Sequence, residues 1–368
     1  MQDRSTIAGA LLASCIAVTP LAASAEEFQY ATYFPGTHPV VANTEKLSAD
    51  LSAMTEGAIS LVIQSGGSIV SGKATLSAIS DLLVDSGLVT DIYVPGDLPH
   101  AGIASGMALA GENPWVMAGA MLEYAELACD GCQSDLDKLN VINLGYHSTD
   151  VYKLLCKPEV RGFDDLAGLK IRASGPWTRL VASWGASPVN VPGNDMYEGM
   201  QRGQLDCVVV PESVMNDFAL AELVTTVVDV PMGTYHGYHS FVVNKDRWEG
   251  LDDTTRAAFI ELMPAFLARN VEIALQSSAE SREAVLAQGA TYVEADEAMK
   301  ASLAENKIAL EAVVIENAAK RGIENPEAYL ARFLEIVDKW SGLIGDEPQT
   351  VDGFAALLKE HVFDQATF

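Results

Sequence analysis

One helical pattern limits the fold more than any other feature: it runs without a stop from Asp252 to about Gln288. At 1.5 Å per residue it would reach roughly 50 Å, more than one compact α/β lobe needs. A helix of that length is expected to lie across two lobes, with Pro264 as the place where it bends.

The rest of the chain supplies two such lobes. Phe28 to Phe34 reads as a first strand. Pro39 to Glu56 reads as a helix, with Leu47, Leu51 and Met54 on one face and Gly57 as the stop. Ile59 to Gln64 is a strand, Lys73 to Leu83 a helix and Ser86 to Thr90 a strand. This βαβαβ order calls for parallel strands with crossover helices. Trp115 to Ala128 is a further helix, and Val141 to Tyr146 a strand leaving the first lobe. The pattern then restarts with strands at Val151 to Cys156, Leu169 to Arg172, Pro188 to Val191 and Leu205 to Val210. Helices fall at Pro176 to Trp184 and Asn194 to Gln201. Strands at Thr226 to Val230 and Tyr238 to Asn244 follow, then helices at Asp296 to Arg321 and Pro326 to Leu343. The expected fold class is therefore α/β, a two-lobed clamshell. Residues 26–146 with 236–270 form lobe I. Residues 147–235 with 271–368, including the C-terminal helices, form lobe II.

Residues 1–25 read as a secretory signal. Arg4 precedes an apolar run from Ile7 to Val18, too short to span a bilayer, and Ala23-Ser24-Ala25 is a small-x-small cleavage site. The rival reading is lipidation at Cys15 in Leu12-Ala13-Ser14-Cys15; the apolar tail that would follow Cys15 argues for cleavage after Ala25. Export to the periplasm follows. The formal charge of −27 repels nucleic acid and anionic membranes, so no nucleic-acid partner is expected. An anionic solute would need a local cationic pocket. Cys129, Cys132, Cys156 and Cys207 remain after cleavage, an even number that suits disulfides in an exported chain. Cys129 and Cys132 suit a small structural clip. Cys156 and Cys207 lie in strand-like runs and could join neighbouring strands. The connectivity stays open.

Arg172 ends its strand on the loop side of the sheet, where open α/β sheets bind ligands. Its planar donor fork suits a carboxylate or sulfonate, and Trp177 stands close by in sequence. The bland alternative is a surface arginine in a βα loop. Tyr33, Phe34 and His38 follow the first strand at its ligand-facing end; an aromatic cleft wall competes there with simple packing. Tyr235 and His236 lie at the lobe boundary. Glu212 follows a buried strand and would favour a ligand amine or hydroxyl. The run Gly67-Ser68-Ile69-Val70-Ser71-Gly72-Lys73-Ala74 nearly matches a phosphate loop, but Ala74 stands where Mg²⁺ needs a hydroxyl. No G-x-S-x-G, H-E-x-x-H or G-x-G-x-x-G run occurs. No metal site, cofactor or catalytic residue is expected.

The stretches GLKIRASG (168–175) and WGASPVNVPGNDMYEGMQRGQLDCVVVPES (184–213) resemble the substrate-binding proteins of TRAP (tripartite ATP-independent periplasmic) transporters, the DctP-like family. SGGSIVSGKATLSAISDLLVDSGLV (65–89) and YHSFVVNKDRWEGL (238–251) are similar to that family's glycine turn and return strand. The resemblance implies that Arg172 clamps a solute carboxylate. It also implies an asparagine contact, but Val210 occupies that position, and a second arginine, for which His147 stands in. The departures point away from the common four-carbon diacids. A monomeric receptor for a small organic anion, working with TRAP membrane subunits, is the leading expectation. An exported α/β enzyme acting on a small organic acid, or a sensor feeding a membrane receptor, are the alternatives.

Overall fold

The computed structural model describes residues 26–346 and 349–368; the expected signal segment, with its cleavage and lipidation sites, lies outside the described residues. In chain order the strands are β1 (Glu26–Ala31), β2 (Ile59–Gln64), β3 (Ser86–Thr90), β4 (Val141–Asn143), β5 (Tyr146–His147) and β6 (Tyr152–Cys156). They continue with β7 (Lys170–Arg172), β8 (Ser187–Val189), β9 (Cys207–Pro211), β10 (Thr226–Asp229), β11 (Tyr238–Asn244) and β12 (Thr291–Glu294). Two six-stranded sheets result. The first has the order β2-β1-β3-β11-β4, with β5 also on β11; the second has the order β12-β10-β6-β9-β7-β8.

The expected βαβαβ unit is present: β2, β1 and β3 are parallel. The return strand β11 then runs antiparallel to β3, β4 and β5, so the sheet is mixed. Gly87 allows β3 to lie close to β1; a Cβ there would sit 2.6 Å from the Ala31 carbonyl oxygen. The single strand expected at 141–146 is divided instead. Gly145 takes a φ of +154° there, and Leu267 of the long helix fills the space a side chain would need.

The long helix is Asp253–Ala287, 35 residues, and it continues through Pro264. Its first half packs on the helix Pro39–Met54, and Phe259 meets Phe28 and Phe241 of the first sheet. Its second half reaches the other sheet's loops. Ser277 donates to Asp217, and Ser278 accepts from the Ser213 amide. One rigid element thus touches both halves, as its length required.

The C-terminal helices pack on elements of the first half. The helix Pro326–Ile344 packs on Pro114–Leu127, which flanks the first sheet, and the helix Val351–Leu358 packs on the long helix. Trp340 donates to Glu123 at 2.8 Å and covers Gly119. The expectation grouped residues 271–368 with lobe II; helix periodicity shows that a face is apolar, not which surface will cover it. The expected helix 296–321 is two, Glu297–Ile308 and Leu310–Lys320.

Both cysteine pairs are bridged. Cys156 and Cys207 stand directly opposite each other in the antiparallel β6–β9 ladder, their Cα atoms 4.1 Å apart. Cys129 and Cys132 form the short loop. It also begins a helix that was not foreseen, Asp130–Lys138, with Cys129 as the N-cap. Both sulfur-bearing residues are buried and the His100 ring lies against Gly131, in keeping with a structural clip. Among the described residues no helix is long and apolar enough to cross a membrane.

Candidate functional site

The ends of β1, β3 and β7 converge on a cavity between the two sheets. Arg172 is its only lining Lys or Arg among the described residues. Parallel pairing with β8 and β9 carries Arg172 to the C-terminal edge of the second sheet. The side chain is 5% exposed. Nε donates to the Val191 carbonyl and Nη2 to the Tyr93 hydroxyl, each at 3.1 Å. Nη1 makes no hydrogen bond among the described residues. Two ties hold the guanidinium plane while an edge stays open to the cavity. That is the arrangement a carboxylate clamp needs, because a fixed fork loses little freedom when a planar anion arrives.

Aromatic rings make most of the wall. Trp177, in the first turn of the helix Trp177–Ser183, stacks on Tyr152 with ring centroids 4.1 Å apart and an 11° interplanar angle. Its Nε1 is taken by the Met232 carbonyl, so the indole presents an apolar face. Phe34 stacks on His38 at 4.1 Å and meets Phe218 edge-on. Tyr33 hydrogen-bonds Thr90 and packs beside Tyr93. Burial pushes the Tyr33, Tyr152 and Tyr235 phenols well above their ordinary range, so they remain neutral. Val210 lines the cavity at the position where the resemblance led to expect an asparagine.

His38 and His147 both line this space. Burial drives each imidazole down to about 3, so both are neutral near pH 7. His147 stacks on Tyr238 and bonds Ser240 Oγ at 2.7 Å. It occupies the cavity but supplies a dipole, not the positive charge of a second arginine. His38 Nδ1 accepts from the Val40 amide as it caps the helix Pro39–Met54, which places the ring proton on Nε2. That nitrogen lies 3.6 Å from Asp217 Oδ2. Asp217 accepts from Ser277, and burial raises its carboxyl to about 6.

Tyr235 also lines the cavity, its hydroxyl donating to Asp91 at 2.6 Å. Two expected residues are elsewhere. Glu212 turns away and accepts from the Tyr292 hydroxyl at 2.5 Å. His236 stacks on Phe333, with Nε2 on the Ala104 carbonyl, because the chain before β11 points it at the helices of the first half. In each case alternation along the chain chose the opposite face. Sequence reasoning missed Tyr93, Tyr152, Asp217, Phe218 and Tyr238. Asn270 was legible in principle as a polar residue on the buried face of the long helix; it is fully buried and lines the cavity.

Residues 30–317 match the model of the bacterial extracellular solute-binding proteins, family 7. A monocarboxylate 2-oxoacid-binding periplasmic protein of Nostoc is 25% identical over 180 residues, 48% of either chain. The chain spans about half the length of the curated relatives it matches. A TRAP periplasmic solute-binding protein of Bordetella bronchiseptica, with bound (R)- and (S)-mandelate, superposes with a TM-score of 0.73. Its identity is 22%, over 85% of this chain and 99% of that one. A marine metagenome TRAP solute-binding protein, specific for aromatic acid ligands and in complex with 3-hydroxybenzoate, gives a TM-score of 0.76 and 21% identity over 86% and 99%. At these identities the likeness is one of fold.

Proposed function

The chain belongs to the bacterial extracellular solute-binding proteins of family 7, and on that footing we propose that it captures a small monocarboxylate outside the cytoplasm and passes it to the membrane subunits of a TRAP transporter. The acid group lies on the open edge of Arg172, and the body of the solute is covered by Trp177, Tyr152, Phe34 and Tyr33. The observation that carries this reading is the fixed guanidinium, the only Lys or Arg among the described residues lining a cavity walled by aromatic rings.

Among the described residues no second Lys or Arg lines the cavity, which favours one acid group over two. Asp217 would disfavour a second carboxylate placed against it, and neutral His147 supplies no positive charge to offset that. Size points the same way. The cavity volume is about 60 Å³, on a scale where one water takes roughly 10–15 Å³. That is a compact space, suited to a small acid rather than an extended one. The Nostoc relative's 2-oxoacids and the aromatic acids of the structural neighbours are all of this kind.

Thermal-shift and calorimetric titration of the full chain with pyruvate, (R)-mandelate, 3-hydroxybenzoate and succinate tests the reading. A saturable response to at least one monocarboxylate, stronger than to succinate, is expected. At a hundred times its dissociation constant a ligand adds roughly 2.7 kcal/mol of stability. A preference for succinate, or no response to any of the acids, sinks it.

A further inference from the structure

At the acid-binding end of the cavity one hydroxyl has a proton with nowhere to go. Tyr93 Oη accepts two hydrogen bonds, from Arg172 Nη2 and from the Gly193 amide, each at 3.1 Å. A phenol has one O–H and two lone-pair directions. Both incoming groups can only donate, so neither takes the phenol's proton. Among the described residues no acceptor receives the Tyr93 proton. The open Nη1 of Arg172 belongs to the same guanidinium that Tyr93 helps to hold, and both residues line the one cavity.

The three partners come from different halves. Tyr93 lies just beyond β3 of the first sheet, whereas Arg172 ends β7 and Gly193 follows β8 of the second. We propose that Tyr93 is a ligand-binding residue that donates its free proton to the same carboxylate Arg172 holds, so that the solute's acid group ties the two halves together. The inference rests on the reading of the site given above. A carboxylate is suited to this place because it only accepts, and can take a proton from the guanidinium and another from the phenol at once. A neutral amide in the same position would have to set its own N–H groups against surrounding donors. The arrangement explains how a group too small to touch much of either half could still favour their approach: it binds best where both donors meet. Tyr93 does not need to move toward Arg172 for this, since it already bridges to Arg172 and Gly193.

The test compares Tyr93→Phe and Arg172→Ala with the wild-type chain in titrations with pyruvate and 3-hydroxybenzoate. Phenylalanine keeps the ring that packs against Tyr33 at 5.8 Å and removes only the hydroxyl. Loss of a hydrogen bond to a charged group predicts about 10- to 100-fold weaker binding in Tyr93→Phe. A crystal structure of the complex should place Tyr93 Oη about 2.6 Å from a carboxylate oxygen. Binding that is lost in Arg172→Ala but stays within about twofold of wild type in Tyr93→Phe overturns the role of Tyr93 alone. Binding that survives Arg172→Ala overturns the site. Binding of neither acid to the wild-type chain overturns both readings.

Discussion

Trp340 lies flat over Gly119, so close that a Cβ at Gly119 would stand 2.3 Å from the indole. The helix Pro326–Ile344 therefore approaches Pro114–Leu127 at a distance only glycine permits, and the indole nitrogen is secured on Glu123. Gly119→Ala forces the indole or the helix outward. A loss of about 1–3 kcal/mol is expected in urea unfolding, as for other overpacked cores. Unchanged stability would show that the contact relaxes freely.

Arg172→Ala should weaken solute binding by about 2–5 kcal/mol, the range for truncating one partner of a buried charge pair. Arg172→Lys keeps the charge but loses the ties to Val191 and Tyr93, and so should recover only part of the loss. Calorimetry on the two variants decides this; equal affinities for Lys and wild type would mean that charge alone matters.

The two disulfides should differ in weight. Cys156 and Cys207 are 51 residues apart in sequence, Cys129 and Cys132 only 3. Loop-closure entropy predicts about 4 kcal/mol lost on removing the first and about 2 kcal/mol on removing the second. Paired Cys→Ala variants compared by chemical denaturation provide the check, and an inverted order would contradict it.

His239 is fully buried, neither ring nitrogen has a partner among the described residues, and burial lowers its pKa from 6.5 to about 3. Between those values the unfolded chain binds a proton that the folded chain refuses, so this group's contribution to stability is lost as pH falls below about 6.5. Asp91 and Asp217 work in the opposite sense. Their folded carboxyls, raised to about 6, bind protons that the unfolded chain releases above 3.8, so they favour the fold as pH falls through that window. His239→Phe removes one acid-sensitive group while keeping a ring against Tyr146. Its stability should fall less with acid, by about 1.4 kcal/mol per pH unit between pH 4 and 6. Parallel pH curves for variant and wild type would refute the assignment.

Much of the candidate site was legible because its residues cluster at strand ends. Arg172, Tyr33 and Phe34 each follow an apolar run, and such runs become strands whose ends face a common edge. Glu212 and His236 face away from the cavity because each lies just outside a strand, Glu212 one residue after β9 and His236 two residues before β11, where nothing local decides the face. Tyr93 and Asp217 were invisible because they lie in short turns, at Asp91–Tyr93 and Val214–Asp217, without periodicity of their own.

Local order was in the amino acids themselves: the long helix, the repeated strand–helix alternation and the charge at the end of β7 follow from side-chain periodicity and turn chemistry, which act over a few residues. Tertiary packing alone decided that Cys156 meets Cys207, that the last helices cover the first half, and that Arg172 meets Tyr93. Those pairings depend on which apolar faces bury one another across long stretches of chain, and burial is a property of the assembled core rather than of any segment within it.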